Sequence, residues 1–120
     1  MWQFLSVGLG GFLGAAARYG VSRLPLKSGG FPTTTLLVNV AGALFIGMLV
    51  AWAGKDGRLS PGWLLFLQTG FCGGFTTFST FSLEAMHLFQ TGRTSLALLY
   101  MAVSLLLCLA GVVAGQMLVK

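Results

Sequence analysis

Hydrogen-bond donors gather in this chain where hydrocarbon is expected. Asn39 sits in one apolar run, Thr76, Thr77, Ser79, Thr80 and Ser82 in a second, and Tyr100 and Ser104 in a third. An amide or hydroxyl at bilayer depth is unfavourable unless partnered, so such residues either join helices or meet a permeant species. Asp56 and Glu84 are the only acids. Donors without carboxylates favour an anion. Phe78 and Phe81 share a helical face with Glu84, each three residues from the next. An aromatic ring is negative on its face and positive at its edge, so ring edges lining a cavity suit a small, strongly hydrated anion, whereas ring faces suit a cation. Plainer roles stand beside these: an interhelical bond for Asn39, back-bonding to the preceding turn for the hydroxyls, interface filling for the rings and interfacial anchoring for Tyr100.

The elements that must position these residues are membrane spans. Of 120 residues, 56% are hydrophobic and 8% charged, with a mean hydropathy of +0.89, far from the balance of a soluble domain. Windows at residues 2–21, 34–53, 63–89 and 95–119 are each long enough to cross a bilayer. The expected architecture is therefore all-α and integral to the membrane, a single four-helix domain over residues 1–120. Its connectors are Pro25 to Pro32, Gly54 to Pro61 and Thr91 to Thr94. Ser60-Pro61 reads as a helix start, and Thr94 or Ser95 as a cap for the last helix. The first window lacks a basic leader and a small-residue cleavage site, so it is expected to remain as a helix.

Within the third window Gly70, Gly73 and Gly74 precede the Phe/Ser/Thr ladder. Glycine there is expected to loosen the helix and turn carbonyls sideways, as in the broken helices of transporters. Such carbonyls suit a hard cation. Gly10/Gly14, Gly70/Gly74 and Gly111/Gly115 recur at the spacing of close helix packing. Four short helices enclose a pathway poorly by themselves, so association through such faces is expected.

The net charge of +5 is spread singly over loops and helix ends, which argues for membrane anchoring and against nucleic acid. Lys55, Arg58 and Lys120 lie toward one side, and Arg18, Arg23, Lys27 and Arg93 toward the other. So slight a bias permits mixed insertion and an antiparallel homodimer, or one orientation fixed by the order of insertion. His87 is the sole histidine, and no nucleophile or zinc motif occurs, so catalysis is not expected. Cys72 and Cys108 lie in apolar windows and read as packing residues. Arg18 could raise the anion concentration in a vestibule or snorkel to the headgroups. Glu84 is expected to be paired, hydrogen-bonded or protonated.

Gly10-Gly11-x-x-Gly14-Ala15-x-x-Arg18-Tyr19, Asn39-Val40-x-Gly42 and Gly70-x-x-Gly73-Gly74-Phe75-Thr76-Thr77-Phe78-Ser79-Thr80-Phe81-Ser82 together resemble the Fluc-type (CrcB-type) bacterial fluoride channels, over essentially the whole chain. The resemblance implies a dual-topology antiparallel homodimer in the bacterial plasma membrane. Two pores would pass fluoride out of the cytoplasm passively, with selection against chloride and protection from fluoride toxicity. Phe78 and Phe81 would meet fluoride with their ring edges, and Asn39 would donate to it. Thr77, Ser79 and Thr80 would be further polar residues of the third helix, and Tyr100 and Ser104 a polar track in the fourth. Arg18 would lie by the vestibule. Gly73 and Thr76 would supply carbonyls from both subunits to a structural sodium ion at the dimer centre. The rival reading is a small multidrug-type proton-coupled exporter, which needs a membrane carboxylate; Glu84 is the candidate.

Overall fold

The computed structural model describes residues 1–26, 29–55 and 59–119. Lys27, Ser28, Asp56, Gly57, Arg58 and Lys120, which entered the charge count and the connectors, lie outside the described residues. Among the described residues every regular element is helical. Helices α1 (Trp2–Ser22), α2 (Thr33–Ala53) and α6 (Thr94–Leu118) are each long and apolar enough to cross a membrane. The 21 residues of α1 or α2 extend about 31 Å, matching a hydrocarbon layer about 30 Å thick.

The third window is not one helix. Helix α3 (Pro61–Leu64) runs into a π-helical stretch over Leu65–Cys72 and then α4 (Gly73–Phe75), and α5 (Phe78–Gln90) follows an interruption. The interruption falls at Thr76 (φ −82°, ψ 158°) and Thr77 (φ −149°, ψ 118°), both extended. Gly70 lies within the π-helical stretch and Gly73 and Gly74 within α4, and the backbone becomes extended only at Thr76 and Thr77. Gly70 and Gly74 face α1 closely: a Cβ at Gly70 would crowd the Val7 carbonyl and Gly10, and one at Gly74 the Gly11 backbone. These two glycines allow close approach.

Gly10 and Gly14 answer from α1, where any Cβ would overlap the backbone of Phe66 or Phe71. A second seam joins α2 to α6, with Gly47 against Val112 and Gly115 against Leu44 and Met48. The molecule is therefore two tight helix pairs, α1 with the π-helical stretch and α4, and α2 with α6. Helix α5 lies on α6.

Ser60 starts α3 as expected, its hydroxyl accepting from the Trp63 N–H at 3.3 Å with Pro61 in the first position. The start of α6 differs. Arg93 occupies the cap position with no side-chain bond, and Thr94 is already helical. The Arg93 carbonyl accepts from Ala97 N–H, so the helix begins before either hydroxyl can cap it.

Buried apolar residues are few. Ala85, Leu88, Ala97 and Tyr100 form a cluster between α5 and α6, flanked by Phe31 and Phe81. Large apolar residues such as Phe4, Phe12 and Leu106 are exposed along α1 and α6, as expected of faces turned to lipid or to another chain. Trp2, Trp52 and Trp63 all sit at one end, where α1 begins, α2 finishes and α3 begins. There the Ser6 hydroxyl donates to the Gly62 carbonyl at 3.4 Å, and Lys55 Nζ donates to the Val119 carbonyl.

Candidate functional site

The extended Thr76-Thr77 pair is fixed by one amide of α2. Asn39 Nδ2 donates to the Thr77 carbonyl at 3.1 Å, and the Thr77 N–H donates to Asn39 Oδ1 at 2.8 Å. In a continuous helix that N–H would go to the Gly73 carbonyl, four residues back. Diverting it leaves the Gly73 carbonyl free of its helical donor. Thr76 closes the upstream turn instead: its N–H and its hydroxyl both donate to the Cys72 carbonyl, at 3.0 and 2.8 Å. Thr77 then opens α5, its hydroxyl accepting from Thr80 N–H at 3.1 Å. Ser82 back-bonds to the Phe78 carbonyl at 2.9 Å, the plain role expected of a membrane hydroxyl.

Around this break lies an open groove of about 460 Å³ between α2, the interrupted span and α6. Asn39, Gly73, Thr76, Thr77, Phe78, Phe81 and Ser104 line it, and among the described residues no carboxylate does. The Ser104 hydroxyl is buried and has no hydrogen-bond partner among the described residues. A buried hydroxyl left without a partner is uncommon in a folded chain. Phe78 is 79% exposed and stands at the groove's open side.

From Phe78 a line of rings leads away. Phe78 and Phe81 have centroids 5.6 Å apart and tilted by 39°, Phe81 and Tyr100 are 5.0 Å apart, and Tyr100 meets Phe31 edge-on at 5.4 Å. Phe31 lines a second pocket of about 220 Å³, as does Glu84. Both oxygens of Glu84 are engaged, Oε1 by the Tyr100 hydroxyl at 2.9 Å and Oε2 by the Thr35 hydroxyl at 3.0 Å. The carboxyl is therefore hydrogen-bonded, one of the states expected for it. Tyr100 is 0% exposed, which removes its anchoring role.

The remaining candidates stand apart from the groove. Ser79 and Thr80 are outside its lining, although the Ser79 and Thr77 hydroxyls lie 3.4 Å apart. Arg18 Nε donates to the Gly74 carbonyl at 3.1 Å, on the α1 side of the break. Gln68, Cys72 and Cys108 do line the groove and were missed as site residues. For Gln68 the missed signal is the one that singled out Asn39, an amide inside an apolar run. Thr35 was missed too, because nothing in its local sequence marks it as the partner of Glu84.

The profile of the CrcB-like protein, Camphor Resistance (CrcB) family matches residues 5–116. The chain belongs to the CrcB-like family. Among curated members it is similar to a fluoride-specific ion channel FluC of Ruminiclostridium cellulolyticum, 44% identical over 100% of this chain and 94% of the relative. A FluC of Methylobacterium nodulans is 43% identical over 100% of this chain and 98% of its own length. A third, from Paracoccus denitrificans, is 50% identical over 93% of this chain and 90% of its own length. Of the residues that carry the CrcB-like resemblance, Asn39, Gly73, Thr76, Thr77, Phe78 and Phe81 line the groove, and Asn39 and Thr77 make the break.

Proposed function

We propose that this CrcB-like chain is a passive, fluoride-selective channel of the bacterial plasma membrane, working as an antiparallel homodimer with two pores and exporting fluoride from the cytoplasm. The observation that carries the reading is the groove itself: Phe78, Phe81 and Ser104 line one cavity whose wall holds no carboxylate among the described residues. The names of its relatives point to the same ion.

Fluoride holds its water tightly, so a pore must replace that shell piece by piece. Ring edges of Phe78 and Phe81 carry partial positive charge without a competing acceptor. The Ser104 hydroxyl and the second Nδ2 proton of Asn39 supply neutral donors. The Tyr100 hydroxyl continues this polar line toward Glu84. Neutral donors bind strongly enough to admit the ion and weakly enough to release it, which conduction requires. Phe78, left 79% exposed by the protomer, suits a partner that closes the groove into a pore.

A structural sodium ion fits the break. The Gly73 carbonyl has lost its helical donor to Asn39, and the place of a Cβ on Gly73 is open for 4 Å. Gly73 and Thr76 carbonyls from both subunits would hold the ion and fasten the interface with hard oxygen ligands. The exporter reading is weaker: Glu84 lies off the groove, and both of its oxygens are taken.

Fluoride efflux from liposomes containing only this protein tests the reading, with a potassium ionophore to discharge the potential and a parallel chloride assay. Fluoride release without chloride release is expected. No release from verified folded dimers sinks the proposal and returns attention to Glu84.

A further inference from the structure

The groove holds a second amide besides Asn39. Asn39 spends its carbonyl and one N–H on the Thr77 peptide, which leaves it a single free proton. Gln68 lines the same groove, is half-buried, and its side chain makes no hydrogen bond among the described residues. Both of its amide protons are free, so it is the less engaged donor of the two. An amide held in a membrane span without a partner is unfavourable unless something in the cavity meets it.

The direction of Gln68 follows from the element that carries it. It belongs to the π-helical stretch Leu65–Cys72, and its carbonyl accepts from the Gly73 N–H, five residues on. Such turns are rare and recur at functional sites. Gln68, Cys72 and Thr76 follow one another at four-residue steps and all line the groove, so they form one stripe of the interrupted span. Gly70 and Gly74 face α1 instead. Along that stripe Gln68 stands about 10 Å from Thr76, on the side of Trp63. There α2 contributes Ile46 and α6 contributes Leu109 and Val112, the last packed on Gly47. Apart from the Cys72 and Cys108 thiols, which are weak donors, the lining at this end is apolar.

We infer that the Gln68 amide receives the permeating anion at the tryptophan end of the groove, as the next neutral donor beyond Asn39, Ser104 and the phenylalanine rings. The inference rests on the fluoride-channel reading and adds to it a residue that the Phe/Ser/Thr ladder does not contain. A neutral amide suits the task because it offsets lost hydration without holding the ion.

The test is the initial rate of fluoride efflux from liposomes for wild type, Gln68→Leu, Gln68→Asn and Gln68→Glu, each divided by the wild-type rate at the same pH between about 5.5 and about 8, with leakage from empty liposomes subtracted. Gln68→Leu keeps the bulk and removes the donors, and the lost bond to a charged ion is expected to slow efflux about tenfold. Gln68→Asn keeps the amide and is expected to fall between wild type and Gln68→Leu. Gln68→Glu is expected to be slowest when ionised, because a carboxylate then faces the anion, and to recover as falling pH protonates it. Helices α2 and α3 bring no titratable group here, α1 has only Arg18 and Tyr19 toward its far end, and α6 has Tyr100 and Cys108, which with Cys72 are unchanged in every variant. The new pH dependence therefore reports the introduced carboxyl, and a merely structural glutamine would not create it. Gln68→Leu at the wild-type rate overturns the inference, as does Gln68→Glu without pH dependence. Should Gln68→Glu fail to fold, Gln68→Asn as slow as Gln68→Leu overturns it. A wild type that carries no fluoride overturns the channel reading and this inference together, whereas normal wild-type flux that ignores substitution of Gln68 overturns this one alone.

Discussion

Asn39 uses both halves of its amide on one peptide, that of Thr77, and so shapes the break besides facing the groove. Asn39→Leu removes both bonds and leaves a half-buried N–H and carbonyl unpaired, a loss of about 1–3 kcal/mol. The variant is expected to melt earlier in detergent and to lose flux, which thermal unfolding and efflux check together. Phe78→Ile and Phe81→Ile should separate the two properties. They keep apolar bulk and remove the ring edges, so flux is expected to fall at least about tenfold, roughly 1.4 kcal/mol of barrier, while the assembled protein persists. Unchanged flux in both variants would discard the ring-edge mechanism. Residue types alone marked Asn39, Phe78 and Phe81, because an amide or a regularly spaced ring stands out in an apolar run. The sequence did not reveal that Asn39 holds the Thr77 peptide, since that contact joins positions 38 residues apart. Thr35 escaped for the same reason, being legible only once α2 and α5 are side by side.

At the scale of elements, the interrupted third span was legible and its point of interruption was not. Glycines looked like the weak links, yet Gly70 and Gly74 pack closely on α1, while Thr77 is drawn out by its own capping hydroxyl and by Asn39. Tertiary contact overrode local propensity there. The start of α6 teaches the same lesson, for the turn at Gly92 sets its register before Thr94 can cap. These packings give a paired prediction. Gly14→Leu drives a side chain into the Phe71 and Phe75 backbone and is expected to abolish recoverable folded protein. Gly73→Ala meets nothing within 4 Å in the protomer and is expected to leave the helix packing intact. Yield of monodisperse protein in detergent distinguishes them, and equal yields would contradict the assignment of Gly14 to a seam.

At the scale of the whole molecule, a chain with so much exposed apolar surface was legible as a membrane protein from composition. Charge counting left orientation open because the loops are short and nearly balanced. The placement of the tryptophans supplies a way to read it. Trp2, Trp52 and Trp63 are exposed and crowd one end of the protomer, so the chain's entire indole emission reports on a single membrane surface. In an antiparallel pair, iodide confined outside sealed vesicles should quench about half of that emission, and permeabilisation should expose the rest. A uniformly oriented population would give nearly all or nearly none. The fold therefore carries an optical compass that needs no label.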